Sequence, residues 1–284
     1  MASSYISSPM NYMGSKLRLL PQIIPLFPAN IKTFVDLFCG SCTVGLNVNA
    51  EKVIFNDNLV YIIDFYKALK KFSSEQVISH IENKIAEYNL SPANKDGYVA
   101  MRRYYNEYRN PLDLFVLLSF CFSNQIRFNN KHEFNQPFGT CHFNSHQKES
   151  LENFIKAIKA KNVEFSSAAF DDFDLSSFGS DDFVYCDPPY LITTASYNDG
   201  KRGFTGWDEA LEIKLYNVLD RLNSRSVRFA FSNVLEHKGR RNRLLSKWLS
   251  ERDYKIHNLA MKYSIKRSKE KLPETTKEVL ITNY

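Results

Sequence analysis

The stretch Thr33-Phe34-Val35-Asp36-Leu37-Phe38-Cys39-Gly40-Ser41-Cys42 begins with six residues rich in branched and aromatic side chains and ends in a glycine turn. Such a run reads as a buried strand. Residues 43–49 can open a helix behind the turn. Val53-Ile54-Phe55 repeats the pattern as a short apolar strand ending at Asn56-Asp57, and residues 59–70 read as helical. Strands that alternate with helices imply an α/β fold with a mostly parallel, doubly wound sheet.

Working outward, the pattern changes between residues 73 and 161. Ser73 and Gln76 have capping-box spacing, and Ile78, Ile81, Ile85 and Tyr88 then line one helical face. Pro92 and Gly97 are expected to break that helix. Further helices are predicted over 98–108 and 111–122, and Leu151, Phe154, Ile155 and Ile158 mark another. Residues 124–146 form a long polar and aromatic segment with little periodicity, a length that is uncommon in a compact domain unless the loop has a task. Alternation resumes with strands predicted at 163–165, 183–186 and 227–231, the last ending at Ser232-Asn233. Helices are predicted over 211–222 and 243–249, and closing strands over 254–261 and 278–283. The expected organisation is one α/β domain, residues 1–70 and 161–284, interrupted by a helical insert over 71–160.

The chain has 284 residues, 44% of them hydrophobic and 24% charged, with ten glycines and ten prolines. Those values suit a globular protein and exclude collagen, repeat-array and disordered classes. The longest apolar run, around residues 112–122, is too short for a bilayer, and Met1-Ala2-Ser3-Ser4 lacks the pattern of an export signal. The expectation is a cytoplasmic protein with no membrane partner, in bacteria or in phage-infected cells. Five cysteines, an odd number, suit a reducing compartment. Cys39 and Cys42 form a C-x-x-C pair with no second pair to complete a metal site, so no metal is expected. The formal charge of +6 permits a nucleic-acid partner without requiring one. Basic residues gather locally at Arg102, Arg103 and Arg109, at Arg127 and Lys131, over 238–243 and over 262–271, and each stretch can also be a solvated face.

In open α/β sheets ligands bind beyond the carboxyl ends of the strands. Asp36 and the turn through Gly40 stand at the first such end. Asp57 follows Gly40 by seventeen positions. An acid about 20 residues past a glycine turn suits a ribose hydroxyl, and nicotinamide, flavin and adenosylmethionine enzymes could all show it. A helix N-cap role for Asp57 is the alternative. Asp187-Pro188-Pro189-Tyr190 follows the apolar run 183–186. Two prolines remove two backbone donors and stiffen the chain. An amino group on a planar base offers two hydrogens, one for Asp187 and one for the Pro188 carbonyl, and Tyr190 adds a flat face for the base. D-P-P is also an ordinary turn signal.

These motifs resemble, in order and over nearly the whole chain, those of the Dam-type DNA adenine methyltransferases (D12 class, alpha group), which include the EcoRV-type modification methylases. Asn11-Tyr12-Met13-Gly14-Ser15-Lys16 is similar to the family's N-terminal aromatic-x-G-x-K motif, and residues 34–45 to its D-x-F-x-G-x-G turn. Asp57 matches the ribose-binding acid, Asp187 to Tyr190 the D-P-P-Y motif, and Phe231-Ser232-Asn233 a later strand-end motif. Arg127-Phe128-Asn129-Asn130-Lys131-His132-Glu133-Phe134-Asn135-Gln136-Pro137-Phe138-Gly139 is similar to the signature R-[FY]-N-x-x-x-x-F-N-x-P-[FY]-G. The resemblance implies a Rossmann-like methyltransferase sheet with a helical target-recognition insert. It implies S-adenosyl-L-methionine held by Tyr12, Lys16, Asp36, Gly40, Asp57 and Asp187, and catalysis by Asp187, Pro188, Pro189 and Tyr190. Double-stranded DNA would be read by Arg127, Asn129, Asn135 and Pro137. Cys42 departs from the pattern by replacing the second glycine of the turn, so its side chain must point away from the cofactor or crowd it.

The activity implied is N6 methylation of a flipped adenine at a specific site, as the modification half of a type II restriction–modification system paired with an endonuclease. A solitary or phage adenine methylase is an alternative, and so is cytosine-N4 methylation, although Ser often replaces the Asp in the similar cytosine enzymes. A cytosine-C5 enzyme would need a nucleophilic cysteine, normally after proline, and no Pro-Cys pair occurs. A silent DNA-binding module gives no reason for Lys16, Asp57 and Asp187 together, and a nicotinamide oxidoreductase leaves residues 127–139 unexplained. Tyr197, Phe204 and Trp207 could shelter the flipped base, with core packing the stronger expectation for each.

Overall fold

The computed structural model describes residues 5–193, 206–260 and 276–284. After a short helix α1 (Leu20–Ile23), the chain forms β1 (Thr33–Asp36), α2 (Thr43–Asn47), β2 (Lys52–Asn56) and α3 (Val60–Lys71). Four helices follow: α4 (Ser74–Glu87), α5 (Lys95–Tyr108), α6 (Pro111–Phe120) and α7 (Ser145–Ala160). The remainder is β3 (Val163–Ser166), β4 (Phe183–Cys186), α8 (Glu209–Ser224), β5 (Arg228–His237), β6 (Arg240–Arg241), α9 (Arg243–Ser250), β7 (Lys255–Leu259) and β8 (Thr276–Thr282).

The main sheet runs β3-β2-β1-β4-β5-β8-β7, with β6 folded back on β5. The first five strands are parallel, and β8 enters antiparallel between β5 and β7. Alternating side chains serve two cores, as the two-residue period of a strand requires. Phe34, Phe55, Phe183 and Tyr185 face α2, α3, α6 and α7, whereas Val35, Val184, Cys186, Phe229 and Phe231 face α8 and α9. Both faces are therefore covered, as the alternation of strands and helices predicts.

Local chemistry accounts for the helix ends. Ser73 and Gln76 make both bonds of the capping box at α4. Gly97 does not end a helix as expected: it lies in the first turn of α5, where Asn94 accepts its N–H. A β-carbon there would lie 2.2 Å from the Tyr88 carbonyl oxygen, so the glycine serves close helix approach. The predicted end of β5 at Ser232-Asn233 is also too early. The strand continues to His237 because β8 pairs beside it through this region. The helices of residues 74–160 share one continuous core with the sheet, with Phe65 stacked on Phe115 at 5.6 Å and Phe154 against Tyr66 at 5.5 Å.

Gly45 allows α2 to seat on β2, since a β-carbon there would lie 2.4 Å from Phe55 Cε1. Gly45→Ala is expected to destabilise the fold by about 1–3 kcal/mol, the usual penalty of overpacking. Urea unfolding would register this as a lower midpoint with an unchanged slope.

Candidate active site

The chain leaves β1 toward β2 on one side and β4 toward β5 on the other, so a crevice opens beyond the carboxyl ends of this central pair. It holds a cavity of about 380 Å³, within the roughly 300–1,000 Å³ of small-molecule sites. Residues 12–16, Asp36, the turn from Phe38 to Ser41, Asp57, Ala168 to Asp171 and Asp187 to Tyr190 line it. Tyr12, Lys16, Asp36, Gly40, Asp57, Asp187, Pro188, Pro189 and Tyr190, all singled out in the sequence, thus meet in one place.

The turn after β1 is built by its neighbours. Gly40 has φ +43°, its N–H donates to Asp57 Oδ2 at 2.9 Å, and its carbonyl accepts from the Tyr66 hydroxyl at 2.8 Å. A β-carbon on Gly40 would lie 2.7 Å from the Tyr12 ring, so the aromatic residue crosses the turn where only glycine fits. The second oxygen of Asp57 accepts from Leu59 N–H at 2.9 Å. Asp57 thus organises the entry to α3 through a local Asx turn while lining the cavity. Asn56, unremarked in the sequence beyond its place at a strand end, bonds Leu37 O and both backbone groups of Ala168. It ties together the ends of β1, β2 and the loop after β3.

Cys42 sits at φ +57° with a fully buried side chain. Its sulfur lies 3.8 Å from that of Cys39, and the residue does not line the cavity. The left-handed backbone explains why glycine suits this position. The Cys42 side chain is directed into the core and does not enter the cavity. Burial pushes both thiols up, so they are held neutral.

Charge is concentrated at the cavity floor. Lys16 Nζ lies 2.7 Å from Asp187 Oδ2 and 3.6 Å from Glu278 Oε1, and donates to Gly14 O at 3.2 Å. The Tyr190 hydroxyl lies 2.9 Å from both Asp187 Oδ1 and Glu278 Oε1, and the Lys16 ammonium lies 5.1 Å from the centre of its ring. Glu278 was invisible to motif reading, because β8 is remote in sequence and nothing about a strand glutamate marks it. Burial, reinforced by Asp187, raises the Asp36 carboxyl well above the usual range, and burial raises Asp57 too. Phe38, Phe170 and Trp207 form an aromatic wall, with Trp207 5.7 Å from Phe38 and 5.5 Å from Phe170. Trp207 therefore both packs and lines the cavity, while Tyr197 and Phe204 lie outside the described residues.

Residues 122–138 return beside this mouth. The Tyr61 ring of α3 stacks on Phe128 at 4.1 Å, and Asn11 donates to Ser123 O at 3.0 Å. Arg127 donates to Asn135 through Nε, at 2.9 Å to the side-chain oxygen, and through Nη2, at 3.0 Å to the carbonyl. Asn129 Oδ1 accepts from Lys131 N–H and Glu133 N–H, both at 2.9 Å, which closes the tip. Phe128 and Phe134 are buried, whereas Asn130, Lys131 and His132 are exposed. Arg127, Asn129 and Asn135 thus bond within the loop, and Pro137 is exposed with its carbonyl accepting from Phe122 N–H. Ser232 and Asn233 do not line the cavity: Ser232 pairs with the Tyr185 hydroxyl and Asn233 donates to the buried Glu212.

Residues 12–265 match the family model described as "D12 class N6 adenine-specific DNA methyltransferase". The chain belongs to this family. It is 50% identical over 284 residues to the type II methyltransferase M.FokI of Planomicrobium okeanokoites, covering 99% of this chain and 43% of that protein. It is 47% identical to the modification methylase StsI of Streptococcus sanguinis, again over 99% of this chain and 43% of the relative. A DNA adenine methylase of Haemophilus influenzae is 31% identical over 70% of this chain and 67% of its own length. The chain thus spans less than half of the first two relatives.

If the cavity takes the S-adenosylmethionine that the sequence implies, Cys42→Gly is expected to leave its dissociation constant unchanged, because the side chain is buried away from the cavity. Gly40→Ala should weaken binding by about tenfold or more, since the strained backbone alone costs roughly 1–2 kcal/mol and Tyr12 must move. Calorimetric titration of both variants checks the pair.

Proposed function

We propose that the chain transfers a methyl group from S-adenosyl-L-methionine to the N6 amino group of a flipped adenine in double-stranded DNA, as the modification half of a type II restriction–modification system. The observation that carries this reading is Asp187, held in the cavity between Lys16 and Tyr190 and followed by two prolines. The names of the M.FokI and StsI relatives support it. The setting is the cytoplasm, and a separate endonuclease or one joined to this chain would complete the system.

The donor set fits the cofactor. Gly40 leaves the turn without a β-carbon, Asp57 offers free lone pairs beside its two backbone bonds, and Phe38, Phe170 and Trp207 supply flat apolar surface. Asp36, Asp57 and Asp187 line the cavity beside the single ammonium of Lys16, and because burial raises the Asp36 and Asp57 acids, a positively charged ligand would favour their ionised forms. Tyr12, Lys16, Asp36, Gly40, Asp57 and Asp187 would hold the molecule. When bound, it supplies a methyl group activated by a sulfonium.

The adenine amino nitrogen is a weak nucleophile because its lone pair is delocalised into the ring. Asp187 and the Pro188 carbonyl accept its two hydrogens and direct the lone pair, with Tyr190 beside the base. Catalysis is then positioning and electrostatics. Extrusion of the base costs a few kcal/mol of stacking and pairing.

The helical segment 71–160 serves as the target-recognition part. Its loop lies at the cavity mouth, with Arg127, Asn129, Asn135 and Pro137 shaping the surface that meets the major groove and nearby lysines holding phosphates. The basic hairpin strand β6, with Arg240 and Arg241 exposed, would add phosphate contacts, while residues 262–271 lie outside the described residues.

Long-read modification mapping of DNA from cells expressing the chain should find N6-methyladenine in one fixed context, lost in Asp187→Ala. Finding N4-methylcytosine, or a pattern shared with the Asp187→Ala control, would overturn the reading. Arg127→Ala should cost about 1–3 kcal/mol of discrimination at one base pair. A uniform loss of affinity for all sequences would instead make Arg127 a general contact.

A further inference from the structure

Trp207 lines the cavity wall but belongs to no strand or helix; it stands just ahead of Asp208, the N-cap of α8. Its indole N–H donates to Glu212 Oε2 at 2.5 Å. Trp207 directly precedes that cap and Glu212 is the fourth residue after it, the two positions that in many helices pack as an apolar staple. Here a glutamate with no exposed surface takes the place of the second apolar side chain. A carboxyl group so placed is costly unless donors surround it. Glu212 Oε1 accepts from the Tyr216 hydroxyl and from Asn233 Nδ2, both at 2.8 Å. Burial pushes the Glu212 carboxyl up, and the bonds from Trp207, Tyr216 and Asn233 act against that.

This set of donors calls for a carboxylate, which accepts at both oxygens and donates at neither. An amide in its place would turn its NH2 to one side or the other. On the Oε2 side it would meet the Trp207 N–H, which cannot accept. On the Oε1 side it would meet Asn233 Nδ2. That amide is held the same way round because Asn233 Oδ1 accepts from Val234 N–H at 2.7 Å. The grip on the indole thus runs from β5 through Glu212. The indole in turn completes a triangle of rings, 5.7 Å from Phe38 and 5.5 Å from Phe170, with Phe38 and Phe170 5.5 Å apart. All three rings line the cavity, whereas Glu212 and Asn233 stand behind it. We infer that Glu212 is a positioning residue for the cofactor: it fixes the Trp207 indole so that the aromatic wall is in shape to receive the flat base of S-adenosyl-L-methionine. This rests on the methyl-transfer reading above. It also gives Asn233, marked in the sequence at a strand end, a part in the site through Glu212.

The test joins NMR of the indole N–H groups in the cofactor-free protein to calorimetric titration with S-adenosyl-L-methionine. The chain has two tryptophans, Trp207 and Trp248, so two indole signals are expected, and Trp207→Phe assigns them. In Glu212→Gln the Trp207 proton should move upfield as its bond to a carboxylate is lost. The Trp248 signal, whose indole bonds Asp220, should stay sharp and report an intact fold. Cofactor affinity should fall by roughly tenfold, the worth of one hydrogen bond to a charged group, with duplex DNA bound as by wild type. Trp207→Phe keeps a ring and loses the N–H; it should weaken the cofactor by a similar factor, and adding Glu212→Gln should weaken it little further. An unmoved Trp207 signal, an unchanged cofactor affinity, or two losses that simply multiply overturns the inference. So does a loss confined to DNA binding. If Glu212→Gln fails to fold, Trp207→Phe that binds the cofactor as tightly as wild type overturns it equally. Wild-type protein that takes up no S-adenosyl-L-methionine would instead sink the reading beneath it, while the indole signals still reported the bond to Glu212.

Discussion

The parallel pairing of Phe34 to Asp36 with Phe183 to Tyr185 is the constraint on which the rest depends. Because β1 and β4 are neighbours and the chain leaves them in opposite directions, no crossover helix covers the gap between their carboxyl ends. Asp36 and Asp187 end up on either side of that gap, with Asp57 one strand away. Lys16 closes it from the N-terminal segment, and Glu278 from a strand of opposite direction. Side chains from five distant parts of the chain converge without any of them adjoining another in sequence.

Gathering so many carboxyl groups in a buried place has a cost, visible in the raised Asp36 and Asp57 acids. The frame offsets it with directed donors. Gly40 and Leu59 donate to Asp57, Gly45 donates to Asp36, and Lys16 neutralises part of the Asp187–Glu278 pair. Backbone N–H groups satisfy the acids without adding mobile side chains, so the floor is ordered before any ligand arrives.

Much of this was legible in the sequence where short-range physics dominates. The strands at 33–36, 52–56 and 183–186 announce themselves by apolar runs, and the Ser73–Gln76 box by its spacing. Asp187 is marked by its prolines, Gly40 and Asp57 by their separation. Misreadings arose where tertiary pairing overrides local signals. Gly97 is a packing glycine inside a helix, and β5 extends beyond Asn233 only because β8 runs beside it. Glu278 had no local mark at all: its role follows from strand order, which single-residue patterns do not encode. Cys42 looked like a defect in a ligand cradle and is instead a residue in left-handed backbone with its side chain in the core.

The loop at residues 127–135 separates two duties among its residues. Arg127 bonds Asn135, Asn129 bonds the backbone of Lys131 and Glu133, Phe128 and Phe134 anchor the loop in the core, and Asn130, Lys131 and His132 stand outward at the tip. A frame that holds itself does not depend on what the tip displays. Drift at those three outward positions can therefore alter what the surface meets while the fold is inherited intact, which makes this short segment a natural place for related enzymes to diverge.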